Sequence, residues 1–363
     1  MSSFSTPAAA TFALSKEQAH AIVEKHITTQ VKPVVWQVTE MDSIGYSYSS
    51  SARTYVVDLA PPEHSAPSAS CFIVLKSPTV PDPLDSYFPN ALPVVHKLLS
   101  QIHSNTDIPI ADPILDTTRT LLPYDILFCP PSPITYGNFI SLANARKSGL
   151  LTAQDAALVD LQIGAFFGQL HSRVQNDWFG APQLGEPADP SYSWQETFAL
   201  LLETLLAELE VAGVVLPYAD IRRHLARAIA FFLFDDVEVP SLVWLTGSED
   251  DVYIALPSHP ATKSHGIAAI LPNAAHALWG DPLLESFFLP PAPSAAMLEG
   301  YIESGGAPLI VFPRQKTKRI WYSLFLGLLT LKERRSSSVE MDQQPALDLI
   351  QKSVETLADA PLY

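Results

Sequence analysis

Hydrophobic positions near the start of the chain fall into three short runs rich in β-branched and aromatic residues: PVVWQVTEM (33–41), RTYVVDLA (53–60) and SCFIVLKSP (70–78). Turn formers bound each run, and the pattern predicts three strands. The first two are joined by DSIGYSYSSSA (42–52), a loop of small residues. Ahead of them, SKEQAHAIVEKHITT (15–29) has helical spacing at Ala19, Ile22 and Val23. Ser15 and Gln18 stand at the N-cap and third helical positions of a capping box. ALPVVHKLLSQIH (91–103) predicts a second helix and DILFC (125–129) a further strand.

Beyond the Pro-rich CPPSPIT (129–135) the period becomes mainly helical. TAQDAALVDLQIGAFFGQLHSRV (152–174) has Thr152 as cap and Leu158, Leu161, Ile163, Phe166, Phe167 and Leu170 as apolar positions. YSWQETFALLLETLLAELEVAG (192–213) repeats Leu201, Leu205 and Leu209 and stops at Gly213. YADIRRHLARAIAFFLFDD (218–236) predicts a third helix; LVWL, DVYIAL and GIAAIL predict short strands before helices return. The Ser/Pro-rich pieces at 61–70 and 257–265 suit surface loops, and no internal repeat is evident. The pattern predicts an α+β chain: an N-terminal helix and extension (1–29), a β-rich lobe (30–133) and a larger helical lobe (134–363), with a cleft between the lobes.

Composition narrows the classes. With 47% apolar residues in 363, a sizeable core is available. A net charge of −16 argues against nucleic-acid binding, which needs a basic face. One basic cluster exists: Arg314, Lys316, Lys318, Arg319, Lys332, Arg334 and Arg335 suit a solvated helix face, or else an anion or partner patch. Cys71 and Cys129 sit in apolar runs and read as reduced core thiols, with no zinc spacing. The start of the chain lacks a basic leader, and IWYSLFLGLLTL (320–331) is too short to span a bilayer and reads as a core helix. The expectation is a cytoplasmic protein without membrane or nucleic-acid partners.

Three motifs and their order carry a resemblance. DLQIGAFFGQLHSRVQNDWFG (160–180) resembles a helix ending in Leu-His ahead of Phe-Gly in the aminoglycoside phosphotransferase family. GIAAILPNAAHALWGDPLLESFF (266–288) resembles that family's metal-site strand followed by its Gly-Asp-Pro turn. FIVLKSP (72–78) resembles the strand carrying its nucleotide lysine. The resemblance covers roughly residues 30 to 330 and implies the protein-kinase-like two-lobed fold, with a small β-rich N-lobe and a larger helical C-lobe.

In that family a lysine holds phosphate oxygens, a catalytic-loop aspartate takes the hydroxyl proton, and an asparagine and a second aspartate hold Mg²⁺. The resemblance puts Lys76 at the lysine position; the other reading is an edge lysine whose head snorkels to water. Its helical acidic partner would fall near Ala91, leaving Asp82 or Asp85 of the loop as substitutes. Laid on LVWLTGSEDDVYI (242–254), the motif histidine is Trp244, its glycine Leu245, its aspartate Thr246 and its asparagine Asp251. Threonine has no basic oxygen near neutral pH. The metal aspartate matches Asn273, an uncharged ligand.

The nucleotide loop has one glycine, Gly45, with Ser47 following and Tyr46 and Tyr48 projecting into or over the cleft; a plain hairpin is the alternative. His171, His276 and Asp281 match scaffold positions, His171 satisfying a buried backbone group and Asp281 capping a helix from Pro282. Trp244 either lines the cleft or fills the core.

Three functions stay open on this reading. One is a pseudokinase-like protein that binds a small-molecule ligand or a protein partner. A second is an enzyme repurposed for non-phosphoryl chemistry on a small metabolite, with Trp244, Thr246, Asp251, Asn273, Tyr46 and Tyr48 around the cleft. The third is a small-molecule kinase in which Asp251 supplies the base or metal carboxylate. ATP and Mg²⁺ are the cofactors the family implies. The losses at Thr246 and Asn273 argue against both, with Lys76, Gly45 and Ser47 contacting nucleotide if it binds and Asp251 the metal residue if there is one.

Overall fold

The computed structural model describes residues 12–27, 33–41, 45–60, 69–78, 87–131, 139–245, 248–255, 266–337 and 340–361. Helix α1 (Lys16–His26) opens on the Ser15/Gln18 capping box. Strands β1 (Val34–Glu40), β2 (Ala52–Ala60), β3 (Ala69–Lys76), β4 (Ile114–Asp116) and β5 (Asp125–Cys129) form one antiparallel sheet in the order β1-β2-β3-β5-β4. The three-residue edge strand β4 carries too short a pattern to stand out in the sequence.

Alternation along β3 divides it between two cores. Cys71, Ile73 and Leu75 pack with Ala19, Ile22 and Val23 of α1, so the N-terminal helix covers the outer face of the sheet. Phe72 and Val74 face helix α2 (Leu92–Asn105) and join a core continuous with the second lobe. Lys76 follows Val74 by two residues and therefore shares this inner face.

The second lobe begins with β6 (Phe139–Ser141), α3 (Leu142–Lys147) and α4 (Ala153–Arg173), the last capped by Thr152 with Asp155. Helices α5 (Trp194–Val211) and α6 (Tyr218–Ala230) follow. Then come β7 (Ser241–Val243), β8 (Val252–Ala255), β9 (Ile267–Ile270) and β10 (Leu278–Gly280), which make two small sheets, β10-β7 and β6-β8-β9. Helices α7 (Ala295–Glu303), α8 (Pro313–Arg335) and α9 (Gln344–Asp359) complete the described chain. No described helix is long and apolar enough to cross a membrane.

Several expectations need correction. Helix α6 stops at Ala230 rather than Asp236, because Phe232 takes φ 53° and turns Leu233 and Phe234 into the core. Leu158 is exposed rather than buried. The basic cluster is not simply a solvated face. Buried Lys318 bridges Asp281 at 2.7 Å and Asp236 at 2.8 Å, and Lys332 pairs with Glu208 at 2.7 Å. The Arg319 guanidinium donates to the carbonyls of Phe288 and Ala292. Asp281 does cap Leu283, and it also accepts the Tyr322 hydroxyl at 2.6 Å.

The tightest helix crossing rests on glycine. A Cβ on Gly164 of α4 would meet the Met297 carbonyl, and one on Gly300 of α7 would meet the Leu161 carbonyl. Both obstacles are backbone, which cannot rotate away. Gly300→Ala is expected to destabilise the protein by about 3 kcal/mol, read as a lowered midpoint in urea. An unchanged midpoint would mean that the helices can separate at little cost.

Candidate functional site: the interlobe cleft

Strand register assembles the upper wall of the cleft. Ala52 of β2 faces Lys76 of β3, and Thr54 faces Val74. These four side chains, together with Asn90, Leu92 and Val95 around the start of α2, bound a cavity of about 250 Å³. Pro272–Ala275, following β9, close it from the second lobe. Ser47, Tyr48 and Ser49 of the β1–β2 loop line it as well.

That loop is clamped at several points rather than standing clear as a hairpin. The Ser47 hydroxyl donates to Asp251 Oδ2 at 2.5 Å. Ser50 donates its backbone N–H and its hydroxyl to Glu333 Oε2 of α8, at 2.7 and 2.9 Å. The Tyr48 carbonyl accepts from His276 Nε2 at 2.9 Å, and the Tyr48 hydroxyl donates to Ser337 at 2.9 Å. Burial lowers the His276 pKa, keeping the ring neutral with its proton on Nε2. Gly45 contributes the turn, its carbonyl accepting from Tyr48 N at 3.3 Å.

Asp251 ends a single 3-10 turn, Glu249–Asp251, ahead of β8. Its carboxyl is buried beside Ser47 and the Asn273 side chain. Burial pushes its pKa up to about 7, against the pull of the Ser47 hydrogen bond and with a further push from Asp250. Asn273 in turn accepts the Thr54 hydroxyl at 2.5 Å. Asp251 and Asn273, at the adjoining ends of the paired strands β8 and β9, therefore meet in one network. Glu249 leaves it, pairing with Arg146 at 2.8 Å.

Lys76 lies at the inner end of the cavity, 2% exposed, and donates to the Ser51 hydroxyl at 3.1 Å. Burial lowers its pKa to about 8, opposed by the field of Glu333. Its acidic neighbour thus comes from α8 rather than α2. The substitutes considered in the sequence, Asp82 and Asp85, lie outside the described residues, as does Thr246.

Trp244 corrects the expected lining. It is fully buried in the core, its indole donating to the Asn273 carbonyl at 3.2 Å, and it does not line the cavity. Strand β7 has ended at Val243, and Leu245 adopts φ 54°, so strand alternation no longer aims these side chains. Leu245 stands where the resembled motif has glycine, and it carries the left-handed backbone that glycine adopts without strain. Both carboxylate oxygens of buried Glu285 hold this turn, accepting Trp244 N at 2.5 Å and Leu245 N at 3.0 Å. Tyr46 packs half-buried against the core outside the cavity lining. His171 faces the Tyr301 hydroxyl at 3.0 Å rather than a backbone group.

Sequence reading did not find Glu333, Thr54 or Asn90, which carry no motif of their own. No protein-family model matches the sequence, and no curated protein matches it significantly. Among solved structures, the crystal structure of a "putative aminoglycoside phosphotransferase" from Ralstonia eutropha JMP134 aligns with a TM-score of 0.55 and 12% identity, over 95% of this chain and 96% of that one. At that identity the likeness is one of fold: this chain shares the two-lobed, kinase-like α+β architecture.

Proposed function

We propose that this chain is an aminoglycoside-phosphotransferase-like protein that binds a small molecule in the interlobe cleft and has lost phosphoryl transfer from Mg-ATP. The observation that carries the reading is the 2.5 Å hydrogen bond from Ser47 to Asp251, which puts the protein's own loop on the one carboxyl left at the metal position. A Mg²⁺ site needs charged oxygen ligands in octahedral array, and nucleotide phosphates need metal and cationic charge. Asp251 is buried, which raises its pKa to about 7 and weakens it as an anionic ligand, and its neighbour Asn273 is neutral. Among the described residues no group of three His, Cys, Asp or Glu side chains converges to hold a metal. These residues do not fit Mg-ATP.

A second reading is favoured by one specific feature. A carboxyl titrating near 7 suits general acid–base work, so a repurposed enzyme using Asp251 is the alternative. A working kinase fits less well, since one carboxyl cannot serve as both base and metal ligand. The buried thiols Cys71 and Cys129 fit a reducing, cytoplasmic setting.

The test is turnover. With Mg-ATP and hydroxyl-bearing acceptors, aminoglycosides included, we expect no acceptor-dependent ADP formation above that of Asp251→Ala. Acceptor-dependent ADP release abolished by Asp251→Ala would overturn the reading.

A further inference from the structure

The charged side chains lining the cavity, among the described residues, are Glu40, Arg53 and Lys76. Glu40 and Arg53 neutralise each other at 3.3 Å, and Arg53 also donates to the carbonyls of Ser49 and Ala52 at 3.1 and 2.7 Å. Among the described residues, Lys76 is therefore the one lining charge without an ionic contact. Glu333 acts on it only through space: its Oε2 accepts from Ser50, and its Oε1 lies 3.8 Å from His276 Nε2.

The side-chain donors of Thr54 and Asn90 are already engaged within the protein. Thr54 donates to Asn273, and Asn90 donates to the carbonyls of Ala274 and Ala277 at 3.0 and 2.8 Å. An ammonium carries three N–H donors, and Lys76 uses one, on Ser51. Two buried donors on a cation thus face a cavity whose remaining wall is largely apolar, with Val74, Leu92, Val95 and Met41 among its side chains. A buried cation with one neutral partner is costly, and an anion on it recovers that cost.

We propose that the cleft takes a small organic monoanion, an alkyl or arylalkyl carboxylate. Its head group sits on Lys76 and its apolar body lies along Val74, Leu92 and Val95. The proposal rests on the cleft-binding function above and adds the chemical class of ligand. Size supports it: about 250 Å³ holds a ligand on the order of ten non-hydrogen atoms, at the volume an atom of liquid occupies. Charge supports it too. A single ammonium matches one negative charge, whereas a nucleotide brings several past the carboxyls of Asp251 and Glu333. A neutral ligand leaves the ammonium unmatched, and a cation is repelled. Burial, which lowers the Lys76 pKa to about 8, leaves the amine mostly charged at pH 7 and able to pair.

The experiment is calorimetric titration of the full chain with a carboxylate series from benzoate to 4-phenylbutanoate, each beside its neutral primary amide. The proteins are wild type, Lys76→Met, Lys76→Gln and the cavity-filling Val95→Trp. We expect the best carboxylate to bind at least about tenfold tighter than its amide in the wild type. In Lys76→Met, or in Lys76→Gln if the first variant does not fold, that preference should fall to parity while amide affinity is kept. A merely structural lysine would not move this ratio. Amides binding as tightly as carboxylates in the wild type, or a preference that survives loss of Lys76, would overturn the monoanion proposal and leave the cleft-binding function standing. Binding by neither series, or binding untouched by Val95→Trp, would overturn both.

Discussion

Replacing Asp251 with asparagine is expected to stabilise the protein at pH 7 and above while changing little near pH 3. The Asp251 carboxyl is raised by burial from 3.8 to about 7, so the folded state holds its proton more tightly than the unfolded state does. Its contribution to stability is complete below the unfolded value and is lost as pH rises through about 7. Above that, the folded protein carries a buried carboxylate whose neighbours are the hydroxyl of Ser47 and the amide of Asn273. A shift of about three units corresponds to on the order of 4 kcal/mol, which is a ceiling, because the asparagine amide adds donors of its own to satisfy. Urea midpoints of both proteins across pH should give a difference that grows between pH 4 and 7 and then levels. A difference that is flat with pH, or a less stable variant at pH 8, would mean that the neighbours of Asp251 hold it charged in the folded protein. A carboxyl retained at a cost to stability is what a working site shows and a scaffold position does not.

Lys318→Met should act in the opposite direction and with comparable size. Lys318 is 3% exposed, and its ammonium bridges Asp281 and Asp236. Burial pulls its pKa down, and the two carboxylates more than offset that. Asp281 also receives the Tyr322 hydroxyl, which itself accepts the Trp194 indole N–H at 2.8 Å. Removing the lysine leaves Asp281 charged and buried, a loss of about 3–5 kcal/mol. Pairing it with Asp281→Asn should recover part of that loss, because the uncompensated charge goes with it. No recovery in the double variant would show that the two side chains are not energetically coupled.

These two residues also show how far the sequence could be read. Local period and capping chemistry are written in adjacent residues, so the Ser15/Gln18 and Thr152 caps and the three strands were all legible. Partners distant in sequence were not. Ser47 meets Asp251 across 204 positions and Ser50 meets Glu333 across 283, and no spacing rule connects them. Lys318 stood in a basic run that suited a solvated helix face, and only packing reveals that Asp236 and Asp281 draw it inside. Trp244 was ambiguous for a different reason. Alternation decides a side chain's face only while the strand lasts, and β7 ends one residue earlier, ahead of the left-handed turn at Leu245. The motif order carried the fold because positions such as Asp281, which caps Leu283 and holds Lys318, serve the scaffold and are read from local turn chemistry.

The most direct measurement is calorimetric titration of the wild-type chain with ATP, with and without Mg²⁺, at pH 7. With the loop hydrogen-bonded to Asp251 and Asn273 in place of a metal carboxylate, we expect no saturable, Mg²⁺-dependent heat. Micromolar ATP binding that requires Mg²⁺ would contradict the account, because it would show that the cleft assembles a metal and phosphate site after all.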